Sequence, residues 1–153
     1  MANVLYNTPE MATEIIDKCQ VCYIGMVDHE NRPYVLPFNF GYLNNTIYLH
    51  SAPEGKKIDI LHNNPHVCVV FSTDHRLFHR NEQVACSYGM RYRSVLAFGR
   101  IEFVSDFNSK MDIMNIIMRK YTGKDFTYNA PAINNVAAYK VIIDKIETKI
   151  SNY

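Results

Sequence analysis

The sequence predicts a mainly β domain, an antiparallel β-barrel with flanking helices, and three observations carry the prediction. Short runs rich in β-forming residues recur along the chain and are separated by turn residues such as Asp28 to Arg32 and Asn44-Asn45. Helical spacing is confined to segments at the start, after the third strand and before the last. No Gly-x-Gly-x-x-Gly turn follows a strand, which disfavours a Rossmann-type parallel sheet.

The elements follow in order. Thr8-Pro9-Glu10 starts a helix: Thr8 is placed to cap, Pro9 fits the first helical position, and Glu10 meets the positive helix end. Met11, Ile15, Ile16 and Cys19 share its apolar face. Val21 to Val27 is a first strand, and beyond the polar turn Pro33 to Leu43 is a second extended run. Asn44-Asn45 tolerates the positive φ of a tight hairpin and returns the chain as Thr46 to Ser51. A short helix spans Gly55 to Asn63, with Ile58 and Leu61 inward and Asn64-Pro65 closing it. Val67 to Phe71 is a buried strand, and residues 72 to 84, with Asp74, Arg76 and Arg80, make an exposed loop. Cys86 to Val104 is a long strand with bends or bulges marked by Gly89 and Gly99. Phe107 to Tyr121 is a helix with Met111, Met114, Ile117 and Met118 facing the core; a loop spans Gly123 to Asn135, and Val136 to Ile146 is the last strand.

Composition sets the outer bounds. At 153 residues and 48% hydrophobic, the chain suits a single domain over 1–153, burying about 70% of its unfolded surface. A formal net charge of +1 offers no global field for nucleic acid or an anionic membrane. Glu10, Glu14 and Asp17 interrupt the opening residues, unlike a signal peptide, and no apolar run approaches the roughly 18 residues of a membrane span. A soluble, cytoplasmic protein is expected, and four Cys suit a reducing compartment rather than a disulfide scaffold. Cys19-x-x-Cys22 lacks a second paired motif and reads as buried thiols; no metal site is expected, with His75 and His79 solvated.

Three stretches carry chemistry. The first is Ile47 to Leu61, where Lys56 and Lys57 fall in the first turn of a helix. Cations there oppose the macrodipole at roughly 0.3 to 1 kcal/mol each. A bound phosphate reverses the sign, because free amides, the Ser51 hydroxyl and two ammonium groups converge on one anion; a solvated turn with Glu54 as counter-ion is the alternative. The second is Met90 to Val95, which places Arg91 and Arg93 on one strand face and Tyr92 and Ser94 on the other. Outward decoration is the alternative to phosphate binding. The third is Tyr34 to Phe40, where Pro37 requires an edge or an interruption and leaves backbone groups free for a planar heteroaromatic ligand, unless it is an ordinary edge proline.

Together these stretches resemble the flavin-binding split-barrel superfamily related to pyridoxamine 5′-phosphate oxidase, and within it the 5-nitroimidazole-resistance (Nim-like) branch. The resemblance rests on Pro33 to Asn39, on Ile47 to Ala52 with Glu54-Gly55-Lys56-Lys57, and on Tyr92 to Val95 with Phe98-Gly99. It implies a homodimer of six-stranded antiparallel split barrels with flavin, FMN or alternatively FAD, in clefts at the interface. Ser51, Lys56 and Lys57 hold the flavin phosphate in that picture; backbone groups of Leu36, Pro37, Phe38 and Asn39 face the isoalloxazine, and Arg93 and Ser94 complete the site. His50 matches a histidine placed near the flavin's reactive face and is the candidate catalytic residue, against a strand-end histidine bonded to backbone. Two departures stand out: the chain lacks the Arg-rich C-terminal substrate motif of true pyridoxamine-phosphate oxidases, and it has no Trp near Tyr88.

The expected function is a flavin-dependent oxidoreductase passing electrons or hydride to a small-molecule acceptor, with a nitroaromatic such as a 5-nitroimidazole as the candidate acceptor. A non-catalytic flavin carrier and a haem-binding or haem-degrading split barrel are the alternatives.

Overall fold

A computed structural model of the chain describes residues 8–153 and the backbone of residues 3–6. Its elements are β1 (Asn3–Tyr6), α1 (Pro9–Lys18), β2 (Cys22–Val27), β3 (Pro33–Phe38), β4 (Gly41–Leu43), β5 (Thr46–Ser51), α2 (Lys56–Asn63), β6 (His66–His79), β7 (Tyr88–Val104), α3 (Phe107–Thr122), α4 (Ala130–Asn134) and β8 (Ala137–Ser151). One antiparallel sheet runs β3-β2-β6-β7-β8-β5-β4, with β1 paired to β8.

The sheet's two outer strands, β3 and β4, are consecutive in sequence, so the chain itself crosses the gap between the edges at Asn39 and Phe40. That makes a split barrel, with a covalent seam in place of a last ladder. Tyr121 of α3 pins the seam: its hydroxyl accepts the Phe40 N–H at 3.1 Å and donates to the Gln20 carbonyl at 2.7 Å. Alternation along the strands fills the interior, with Ile24, Ile47, Leu49, Val69, Phe71, Val95 and Tyr139 fully buried. Each such side chain contributes about 1.5–3 kcal/mol relative to exposure.

The local signals hold. Asn44 and Asn45 take φ of 51° and 57° in the β4–β5 hairpin, Pro9 opens α1, and Ile58 and Leu61 are buried on α2. Cys19 and Cys22 are buried free thiols, and burial pushes the Cys22 thiol up to about 12.

Several expectations need correction. The sheet has eight strands rather than six, because Pro33 to Leu43 breaks at the seam into β3 and β4, and β1 joins β8. Residues 72 to 79 are strand, not loop: β6 continues to His79 against β7, with a register shift between Thr73 and Arg76. This stretch carries few buried side chains, so its sequence lacks the apolar alternation of a core strand. β8 likewise runs on to Ser151, where the buried side chains, Thr148 and Ser151, are polar and leave no apolar alternation to read. On α3 the buried residues are Ile113 and Ile117, while Met111, Met114 and Met118 are half-buried on its flanks; both sets have helical spacing, and packing selects the phase. Thr8 sits at the N-cap of α1 without a side-chain cap bond. Gly99 does mark a bulge, where a Cβ would fall 2.1 Å from the Ile142 carbonyl oxygen. Gly89 stays in register opposite Phe78, whose ring lies where a Cβ would go.

Candidate functional site

Where β5 ends, the chain turns through Ala52 to Gly55 into α2. Gly55 is the N-cap, with φ 132°, and it carries no side chain to satisfy the first amides of the helix. Lys56 and Lys57 follow at once. Lys56 Nζ lies 4.6 Å from the centroid of the Tyr34 ring and Lys57 Nζ 5.0 Å from that of Phe38, so the helix start rests on β3. Neither lysine has a carboxylate partner among the described residues; Glu54, the counter-ion the solvated-turn alternative requires, pairs with neither. The corner therefore combines an uncapped positive helix end with two ammonium groups held over aromatic faces.

The rest of the corner is built by β5, β8 and β3. Ser51 Oγ donates to the Ala52 carbonyl at 3.0 Å and accepts from the Tyr139 hydroxyl at 3.0 Å. Tyr139 is fully buried, and burial pushes its phenol up to about 12, against the opposing pull of its bond to Ser51. Tyr139 is a residue that sequence reasoning missed: nothing separates it from other strand residues until β5–β8 pairing sets it opposite Leu49, two residues before Ser51. His50 is half-buried beside this turn, and its pKa is lowered first by burial and then by the charge of Lys57. Among the described residues β3 pairs with β2 alone, so one side of its backbone, through Leu36, Pro37 and Phe38, has no strand partner at the sheet edge. Asn39 follows in the seam, its amide 3.4 Å from the Tyr121 hydroxyl.

Leu36 to Asn39, His50, Ser51, Lys56 and Lys57 thus belong to one region of a single chain. Arg93 and Ser94 do not. Ser51 pairs with Ala137 at the start of β8, whereas Arg93 pairs with Ile150 near its end. The Arg93 guanidinium is held by Asp74 at 2.7 Å and lies 4.0 Å from the centroid of the Tyr153 ring, so its charge has an internal partner. Ser94 points the opposite way, to the outer face of the sheet, because Val95 beside it is in the core. A recess of about 840 Å³ lies elsewhere, between α1, the β4–β5 hairpin and β8.

The fold and this corner define a split-barrel protein with a positive, uncapped helix start beside an edge strand. The model of the pyridoxamine 5′-phosphate oxidase family matches residues 8–150, and the chain belongs to that family. Among solved structures, it is similar to a protein from Bacteroides thetaiotaomicron assigned to 5-nitroimidazole antibiotic resistance, at 40% identity and TM-score 0.87, covering 97% of this chain and 87% of that one. It shares its fold with the flavocytochrome Anf3 of Azotobacter vinelandii, at 20% identity and TM-score 0.83 over 97% and 70% of the two chains. It likewise shares its fold with the FAD and haem binding protein of Mycobacterium smegmatis, at 17% identity and TM-score 0.85 over 97% and 74%. No curated protein matches the chain significantly. Among the described residues, no helix is long and apolar enough to cross a membrane.

Proposed function

We propose that this chain, acting as one domain in the cytoplasm, binds FMN, with FAD the alternative, and passes electrons or hydride from reduced flavin to a small acceptor of the nitroaromatic class, such as a 5-nitroimidazole. The observation that carries the proposal is the Ser51–Lys57 corner, where a helix start with no side-chain cap and two lysines that form no ion pair among the described residues present positive charge, with Asp59 the one acid in that first turn. Membership of the family and the 40% identical relative support it.

In this reading Lys56, Lys57 and the free amides of α2 hold the flavin phosphate. Ser51 exchanges the Ala52 carbonyl for a phosphate oxygen, while Tyr139 keeps its Oγ in place. The unpaired edge of Leu36 to Phe38, with Asn39, orients the ring. His50, held toward its neutral form by burial and by Lys57, relays a proton at the reacting face, taking one from solvent on one ring nitrogen as it gives up the other, so that no net charge is left beside the lysines. The flavin, when bound, supplies the redox chemistry. The chain's residues bind and orient it, and screen it from water.

A second copy of the chain is the proposed partner, with no nucleic acid or membrane involved. The outward face of β2 and β3 carries Tyr23 and Val35, exposed by 50% and 58%, and continues across β6 and β7 through Val70, Leu96 and Phe98. A contiguous apolar face of this kind marks an interface, and a homodimer formed on it brings Ser94 of one copy toward the cleft of the other.

The visible spectrum of the purified protein, with FMN and FAD titrations, tests the proposal. Flavin absorbance or saturable uptake is the expected result, and absence of both overturns it. Anaerobic reduction followed by mixing with a 5-nitroimidazole then separates enzyme from carrier: turnover no faster than free flavin identifies a carrier.

A further inference from the structure

β6 and β7 run on past the barrel as a two-stranded arm, and a bulge in β6 decides what the arm presents. On β7, Gly89, Arg91 and Arg93 share the side that Val95 turns into the core. On β6, Thr73 stands opposite Arg93, and Arg76 stands opposite Arg91, because Asp74 and His75 together occupy the place across from Tyr92. Asp74 takes its positive φ of 58° at this step. Without the extra residue, Arg76 would turn to the other face of the arm. The bulge thus sets two guanidinium side chains directly across the ladder, with Cα atoms about 4.5–5.5 Å apart. Like charges in that position repel.

Nothing in the chain neutralises the pair. Neither Arg76 nor Arg91 forms an ion pair among the described residues, and Asp74, at the bulge itself, is engaged by Lys18 and Arg93. The Arg91 guanidinium lies 5.0 Å from the Phe78 ring centroid and 5.9 Å from that of Tyr153, and its Nε is buried without a hydrogen-bond partner. Stacking on these rings holds Arg91 in place, while Arg76 across from it is exposed.

A phosphate suits the pair better than a carboxylate does. Two planar forks together offer more donors than two carboxylate oxygens can meet bidentately, whereas a phosphate turns oxygens toward both. A net charge of +1 supplies no field for a nucleic acid. This side of the arm is also opposite to the one on which Val70 and Leu96 point outward, and Arg93, next along it, lies away from the Ser51 corner. Neither a second copy on the outward face nor flavin in that corner supplies the anion.

We propose that Arg76 and Arg91, aligned by the Asp74 bulge, form a phosphate-binding site on the inner side of the arm. Its ligand is inorganic phosphate or the phosphate of a small ester, and the site stands apart from the flavin corner.

Calorimetric titration at low salt, on the full chain carrying Lys56→Ala and Lys57→Ala so that the corner does not compete, tests it with inorganic phosphate, phenyl phosphate and acetate. Saturable phosphate binding is expected, about tenfold weaker in Arg76→Gln, with acetate weaker than phosphate by a similar factor. Phenyl phosphate binding tighter than inorganic phosphate assigns the site to an ester; equal or weaker binding assigns it to the free ion. Thermal unfolding gives a readout that a purely structural role would not. Without phosphate, Arg76→Gln melts no lower than the chain that retains Arg76, since a like-charge pair is lost; added phosphate raises the midpoint only where Arg76 is present. Absence of binding by both phosphates, an affinity unchanged in Arg76→Gln, or tighter binding of a single-stranded DNA oligonucleotide than of either phosphate overturns the proposal. None of these results depends on flavin uptake.

Discussion

Two groups of cations in this barrel meet opposite fates. Lys18 and Arg93, from α1 and β7, converge on one carboxylate, Asp74, at 3.0 and 2.7 Å. Asp74 takes a positive φ of 58° beside the register shift of β6, and its backbone carbonyl accepts the Tyr153 hydroxyl at 2.5 Å. Lys56 and Lys57 sit instead over aromatic rings at the positive end of a helix, and neither forms an ion pair with a carboxylate among the described residues. The first group ties a helix, two strands and the C-terminal tyrosine together. The second carries an electrostatic cost that a ligand relieves. A cation with an internal counter-ion reports on folding, and one without reports on binding.

The sharpest way to break this contrast is Lys56→Ala combined with Lys57→Ala. Removing two charge-assisted phosphate contacts weakens FMN binding about a hundredfold or more, while thermal unfolding of the apo protein stays within a degree or two of the parent. Unchanged FMN affinity in a flavin titration ends the claim that this corner is for binding.

Asp74→Ala probes the other side. Two partly exposed charge-assisted bonds are lost, and urea unfolding should show a loss of about 1–2 kcal/mol, with FMN affinity within about twofold of the parent. The pH dependence follows in sign. Bonds first from Lys18 and then from Arg93 hold the Asp74 carboxyl below its ordinary value, so its stabilisation is fully present above about pH 4 and is lost as pH falls through the lowered folded value. The variant should show a flatter acid limb.

His50→Gln is the mildest test. Its folded pKa is lowered by burial and by Lys57, so the parent is fully stabilised above the unfolded value near 6.5 and weakens as pH falls toward the folded one. Stability measured between about pH 5 and 7 should slope less in the variant. An imidazole NMR titration with a midpoint at or above 6.5 contradicts the placement of His50 beside Lys57.

Much of the fold is legible in the residues themselves. Asn44-Asn45, Pro9 and the apolar alternation of Thr46 to Ser51 act locally, and each appears in the structure where its chemistry puts it. The extension of β6 beyond Phe71 was not legible, because an exposed two-stranded arm has no buried face and hence no alternation to read. The buried phase of α3 was ambiguous because Ile113–Ile117 and the methionine stripe both fit a helical period. In the site, the lysine pair declares itself by its conflict with the helix dipole, and Pro37 by its place on an edge strand. Tyr139 under Ser51 and Asp74 against Arg93 gave no such signal.

By itself, the sequence determined the turns, the strand and helix types, and a helix that begins with two lysines, since these depend on neighbours a few residues away. Only the tertiary structure decided which cation meets a carboxylate, that Arg93 and Ser94 lie away from the Ser51 corner, and that Arg76 stands opposite Arg91. The physical reason is strand register: a shift by one residue turns a side chain to the other face of a sheet, and register is set by the packing of the whole barrel.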